Sequence, residues 1–302
     1  MRSLSFDRLR LSRPCSRRRK LAVRTLNLCL IVFASWALSL GNASASLILT
    51  SIDTTEVIDF ETFQGTGFSP GAVNLGNLDS NSWAVDGVSD GSLDFGGTRL
   101  AGDFARGTDG TTVSNGVGSG GIYAFDTDPT ANSNIGLGIQ PIASDFSPGT
   151  LTLRVLNSTG FALDGFDIAY QVYILNNEDR SSSFNFSFST DDTAYQAVSP
   201  LDLTSPAAEE TSPVWEPNLR SQSISFASQI ADGDVFFLRW TIDDVGGSGS
   251  RDEFTLDDIS VTGRSLSAIP EPASAIALLM LGSVGLGFDR WRRKETPGNA
   301  RH

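Results

Sequence analysis

Carboxylates, arginines and a few aromatic rings are all that the middle of this chain offers for chemistry. The only histidine is His302, and both cysteines, Cys15 and Cys29, lie near the amino terminus. A domain without histidine has no Ser-His-Asp or Cys-His device and no imidazole metal ligand. Without cysteine it forms no disulfide and no thiolate zinc site. The densest group of acids is Asp243-Asp244-Val-Gly-Gly-Ser-Gly-Ser-Arg251-Asp252-Glu253. Four carboxylates there flank a glycine-rich turn and could take a cation or sugar hydroxyls, with Arg251 as a donor. The other reading is a solvated hairpin loop in which Arg251 pairs with a neighbouring acid. The spacing is not that of an EF-hand, which sets acids at alternate positions before one glycine. Trp215, in Pro213-Val-Trp-Glu-Pro217, is the aromatic best placed in a loop to stack on a sugar, whereas Trp240 alternates with Leu238 and Ile242 as a core residue would. No pair of acids stands out as a glycosidase pair. No catalytic residue is assigned, and the expectation is a protein that is not an enzyme.

Charge divides the chain into three. Residues 1–46 hold nine Arg or Lys and one acid, Asp7; residues 269–302 hold five basic and three acidic side chains. The middle keeps eight arginines, no lysine and 31 acids, a formal charge of −23. That balance excludes the basic footprint a nucleic acid needs. It suits a soluble extracellular domain or one that binds divalent cations.

The amino-terminal segment contains Arg17-Arg18-Arg19-Lys20, then a 15-residue apolar run from Leu26 to Leu40, then Ala43-Ser44-Ala45. This order predicts a secretory signal helix over 1–45, cut by signal peptidase after Ala45, with Ala43 and Ala45 as the small residues of the cleavage site. The carboxyl-terminal segment runs Pro270-Glu271-Pro272, a 14-residue apolar stretch from Ala275 to Phe288, and Arg290-Trp291-Arg292-Arg293-Lys294. Pro272 suits the first turn of a helix. As a transmembrane helix the apolar stretch would cover about 21 Å of a roughly 30 Å hydrocarbon core, with Trp291 and its neighbours closing part of the difference. The basic cluster stays on the cytoplasmic side.

This three-part end resembles the PEP-CTERM sorting signal. The resemblance implies that exosortase, a membrane-embedded processing enzyme, reads a signal over 270–294. Its motif is Pro270, Glu271 and Pro272, and its basic cluster is Arg290, Arg292, Arg293 and Lys294. It also implies a host that exports exopolysaccharide. Residues 295–302 extend past the usual end of such signals and are expected to be a disordered tail.

Between the ends, the expectation is one all-β domain over 46–264, joined by a linker at 265–269. Leu151–Leu156, Phe166–Leu175, Phe184–Phe188, Val235–Ile242 and Phe254–Val261 alternate as half-buried strands do. Fainter strands lie near 47–52, 56–61, 82–88, 121–126, 135–139 and 222–227. The Gly- and Ser-rich stretch 107–121 reads as a long surface loop. Eleven or twelve short strands with no helical period predict a two-sheet antiparallel β-sandwich, a jelly roll. Asp59-Phe60-Glu61 near its start and Leu256-Asp257-Asp258-Ile259 at its end resemble the opening and closing motifs of jelly-roll carbohydrate-binding modules. That resemblance implies a structural calcium held by Glu61 and Asp257, with Asp258 beside them. Calcium needs six to eight oxygens, so further donors would be required. The expected role is that of an exported cell-surface or matrix protein, structural or adhesive, which passes through the inner membrane. The alternative is a carbohydrate-binding module with structural calcium, whose partner is extracellular polysaccharide.

Overall fold

The computed structural model describes residues 47–265, apart from 73, 75, 110–115 and 131–132. The signal helix with Ala43 and Ala45, the transmembrane helix, and the motif residues Pro270, Glu271, Pro272, Arg290, Arg292, Arg293 and Lys294 all lie outside the described residues. No helix among the described residues is long and apolar enough to cross a membrane.

Two main sheets face each other across one core. The eight-stranded sheet runs, in spatial order, Gln196–Ala197, Arg180–Ser189, Val235–Gly247, Gly149–Asn157, Trp83–Val88 and Gly91–Leu93. Leu47–Leu49 joins it parallel to Gly149–Asn157, and Leu203–Thr204 pairs with Arg180–Ser189. The seven-stranded sheet runs Trp215–Ile230, Leu163–Leu175, Glu253–Arg264, Ile135–Gln140, Gly121–Asp126 and Thr108–Asp109, with Thr55–Ile58 against Glu253–Arg264. The long pairings are antiparallel, as the sequence pattern requires of a sandwich. The described helical turns are short 3₁₀ pieces.

Strand alternation decides which side chains meet. Phe236, Leu238, Trp240 and Ile242 face inward, and so do Leu151, Leu153 and Val155 from the neighbouring strand. Phe166, Ile168, Tyr170, Val172 and Ile174 approach from the other sheet. Trp83 and Trp240 stack with ring centres 6.2 Å apart, and Tyr170 meets Trp240 edge-on at 5.6 Å. Aromatic burial of this kind dominates the energetics of a core. The alternate positions point to the two outer faces, and the polar chemistry lies there.

Candidate functional site

The outer face of the eight-stranded sheet carries an open groove of about 540 Å³. Thr150 and Thr152 form its floor with Ala84 and Asp86, since their even-numbered positions turn away from the core. Arg239 stands opposite Thr152 on the next strand and donates from Nε to its hydroxyl at 2.9 Å. The guanidinium lies over the Tyr195 ring, 3.5 Å from its centre, and reaches Asp192 at 3.3 Å. The Tyr195 hydroxyl donates to the same Asp192 carboxylate. Burial and that hydrogen bond push the phenol above its usual range. On the opposite wall Phe95 packs against Phe237 at 5.8 Å and lies beneath the Arg154 guanidinium at 5.0 Å. Asp191 makes the turn that presents Asp192: its carboxylate caps the Thr193 and Ala194 amides, which hold it far below the usual range. The groove thus presents a guanidinium held by Thr152 and Asp192 over Tyr195, with Phe95 in the lining, and fixed polar groups of this kind orient polyhydroxylated ligands.

The acids at the two ends of the domain converge. Asp257 is 1% exposed; its Oδ2 accepts from Asn134 Nδ2 at 3.0 Å and its Oδ1 from the Asp258 amide at 2.8 Å. Burial, then the charges of Asp258 and Glu61, raise its carboxyl to about 7. Glu61 is raised by partial burial and by Asp59, Asp126 and Asp258. Thus the structure brings Glu61, Asp257 and Asp258 within electrostatic reach of one another and adds Asp59 and Asp126. None of the five ion pairs between described residues includes any of these acids. The side chains do not gather as a ligand set: among the described residues no three His, Cys, Asp or Glu side chains are placed to hold a metal ion.

The acids around the last turn do different work. Asp243 and Asp244 belong to the Val235–Gly247 strand, and Glu253 opens the next one. Asp244 takes two bonds from Arg180, at 2.6 and 2.7 Å, and a third from Arg251 Nε at 3.2 Å. Arg251 is 6% exposed, with Nη2 on the Ser147 hydroxyl. The structure therefore places Arg251 in an internal ion pair, the second of its two sequence readings, and away from solvent where a sugar would need it. Trp215 does not sit in a loop: it starts the Trp215–Ile230 strand, half-buried, with its ring 5.3 Å from Phe125. Phe125 in turn stacks on Tyr123 at 5.0 Å.

Sequence reasoning offers Tyr195 only as one of several aromatics and Asp192 only as part of a turn, and it does not mark Arg239 or Phe95. Alternation around Trp240 does put Arg239 on the outer face, but its partners come from two distant segments, at Thr152 and at Asp192–Tyr195.

The PEP-CTERM protein-sorting motif matches residues 268–294. The chain carries a PEP-CTERM sorting signal. That motif marks an exported protein, sorted through the membrane and processed by exosortase. No curated protein sequence matches the chain at a significant level. Several of its fold neighbours among solved structures are carbohydrate-binding modules, and an adhesin domain of Lys-gingipain is another. TmCBM61 in complex with β-1,4-galactotriose is 8% identical, with 47% of this chain and 82% of that one covered and a TM-score of 0.29. A CBM28 module specific for non-crystalline cellulose is 10% identical over 50% and 84%, at 0.33. The CBM22-1 xylan-binding domain of Paenibacillus barcinonensis Xyn10C is 6% identical over 71% and 96%, at 0.31. The likeness is loose and is one of β-sandwich architecture, so it says nothing about a ligand.

Proposed function

We propose that this PEP-CTERM protein is a non-catalytic cell-surface module that holds extracellular polysaccharide in the groove of its eight-stranded sheet. One observation carries the reading: Arg239 is held over Tyr195 by Thr152 and Asp192, in an open groove that Phe95 also lines. A polyhydroxylated chain exchanges hydrogen bonds with oriented polar groups and packs along apolar walls. Preorganised donors lose little entropy on binding, which suits a protein that must grip a flexible polymer. The role is adhesive or structural: the sorting signal delivers the domain to the surface, and the groove attaches matrix polymer to it.

Retardation in native gels cast with individual polysaccharides tests this. One or more neutral or uronic-acid polymers should slow the wild type, and Arg239→Ala and Tyr195→Ala should abolish the retardation while thermal melting stays close to wild type. Equal mobility of wild type and variants in every polymer tried would overturn the reading.

A second reading concerns stability. The acids around Asp257 are in no ion pair among the described residues, and this favours calcium as a structural ion that would draw Glu61 and Asp257 together as ligands on binding. A chelator should lower the melting temperature, and Asp257→Asn should remove that part of the effect, since a ligand that binds only the folded state stabilises it.

A further inference from the structure

The strand that holds Asp257 begins with Glu253, which neither the groove nor the sorting signal uses. Glu253 is 2% exposed. Its Oε1 accepts the Val117 amide at 2.6 Å, and its Oε2 has no hydrogen-bond partner. The nearest charges acting on it, Asp252 and Glu178, are also negative. A buried carboxylate in such surroundings is costly unless something positive or protic meets it.

Neighbouring oxygens share its predicament. Ile139 pairs with Phe254, so Gln140 stands beside Glu253 on the adjoining strand. Both donors of the Gln140 amide are committed, to the Pro141 and Arg251 carbonyls at 2.9 Å each, which fixes the orientation of the group. Its Oε1 is left buried and unpaired. Thr255 lies two residues along from Glu253, on the same side of the strand, fully buried with its hydroxyl unpaired. Asn177 Oδ1 is a fourth buried oxygen without a partner. Gly116 links the last two sides. A Cβ there would collide with both Glu253 Oε1 and Asn177 Nδ2, and its φ of +58° suits glycine. The Gly116–Val117 backbone thus closes directly over the carboxylate.

Four buried oxygens are left unpaired here, and the donors at hand are the Thr255 hydroxyl and the Asn177 amide, whose Nδ2 lies beside Glu253 Oε1 at Gly116. Those donors make no hydrogen bond to Glu253 Oε2, Gln140 Oε1 or Asn177 Oδ1, which stay buried without partners. Hard cations take carboxylate, amide and hydroxyl oxygens together.

We propose that Glu253, Gln140 and Thr255, with Asn177 at the rim, form a binding site for a divalent cation of the calcium class, roofed by the Gly116–Val117 backbone. The site draws mainly on neutral oxygens and so needs no gathering of three acids. Asp252 and Glu178 supply attraction from nearby. Occupancy ties the start of the last strand to the glycine-rich segment. The site is distinct from the cluster around Asp257 and does not rest on the calcium reading given there.

The test uses the full chain with Asp257→Asn in place, so that the two sites separate. After chelation, calcium chloride is titrated by calorimetry and melting is followed in parallel. The expected result is one calcium per chain and a chelator-sensitive melting temperature. Adding Glu253→Gln removes both. Thr255→Val, which deletes one oxygen at constant shape, weakens binding roughly tenfold or more. Calcium binding that survives Glu253→Gln would place the ion elsewhere and overturn the proposal. So would a calcium-blind Asp257→Asn protein in which Glu253→Gln matches or exceeds its stability at neutral pH, because Glu253 would then be a neutral acid. Loss of calcium from the Asp257→Asn protein as the sole change would support the Asp257 cluster and sink the Glu253 site.

Discussion

The groove on the eight-stranded sheet and one end of the seven-stranded sheet treat outward-pointing polar side chains in opposite ways. On the eight-stranded sheet, Asp192 and Arg239 line a groove open to water above a buried Thr152. On the seven-stranded sheet, at the end where Glu253–Arg264 begins, Gln140, Glu253, Thr255 and Asp257 point outward from the core and are nevertheless buried. A roof covers that end: Tyr123, Phe125 and Trp215 in contact, with the Gly116–Val117 segment beside them. Outward is therefore not the same as exposed. The groove can meet a large ligand, whereas the roofed end of the other sheet, whose remaining face is open around Asp167 and Ser223, encloses charge that must be neutralised from within.

Removing the roof should have the largest effect. Phe125 is buried outside the main core, between Tyr123 and Trp215. Phe125→Ala should cost about 3–5 kcal/mol, the usual range for a buried phenylalanine. Phe95→Ala, on the half-buried wall of the open groove, should cost well under half as much. Chemical denaturation of both variants measures the contrast, and equal losses would mean that the two faces are covered alike.

The buried acids predict the next effect. Burial raises the carboxyl of Asp257 to about 7 and that of Glu253 to about 8, both above their unfolded values. The folded state then binds more protons than the unfolded one between about pH 4 and 8, so stability falls as pH rises through that window. With chelator present, unfolding free energy should drop on the order of 3 kcal/mol from pH 5 to pH 8. Calcium should flatten the profile. A chelated protein that is most stable at pH 8 would show that these carboxylates are already ionised and satisfied.

Packing of the roof gives a smaller effect. Phe125 lies flat on Gly138, and Thr255 lies on Gly136, where a Cβ would strike each of them. Gly138→Ala should therefore cost about 1–3 kcal/mol through overpacking, and tryptophan fluorescence should report displacement of Trp215. An unchanged protein would mean that the ring has room to lift.

Much of this fold was legible. Val235–Ile242 and Phe166–Leu175 alternate so regularly that both strands and the inward position of Trp240 follow from period two. The first half of Trp215–Ile230 was not legible. It forms an edge of the sheet, is largely exposed, and carries Pro217, so it has neither alternation nor the composition of a strand. The chemistry was legible only where it was local. Asp59-Phe60-Glu61 and Asp257-Asp258 announce their meeting by motif, and Arg251 has acids beside it in sequence. The glycine-rich stretch looked like a surface loop because nothing in its composition shows that residue 116 rests on Glu253. The groove is assembled from Phe95, Asp192, Tyr195 and Arg239, which no sequence window contains together. The acidity of the middle segment signalled a shortage of cations without saying which carboxylates would be buried.

The gentlest substitution tests the open face most sharply. Arg239→Lys keeps the charge and can still reach Asp192, but it loses the planar fork that lies on Tyr195 and bonds Thr152. The ion pair is partly exposed, so stability should change by less than about 1 kcal/mol. Polysaccharide retention should fall as far as in Arg239→Ala, because the geometry of the guanidinium, and not its charge, is what the groove has fixed. If Arg239→Lys binds like wild type, the arginine acts only as a counter-ion for Asp192. The open face would then be a salt-bridged surface with no orienting function, and the contrast with the roofed face would reduce to solvent access alone.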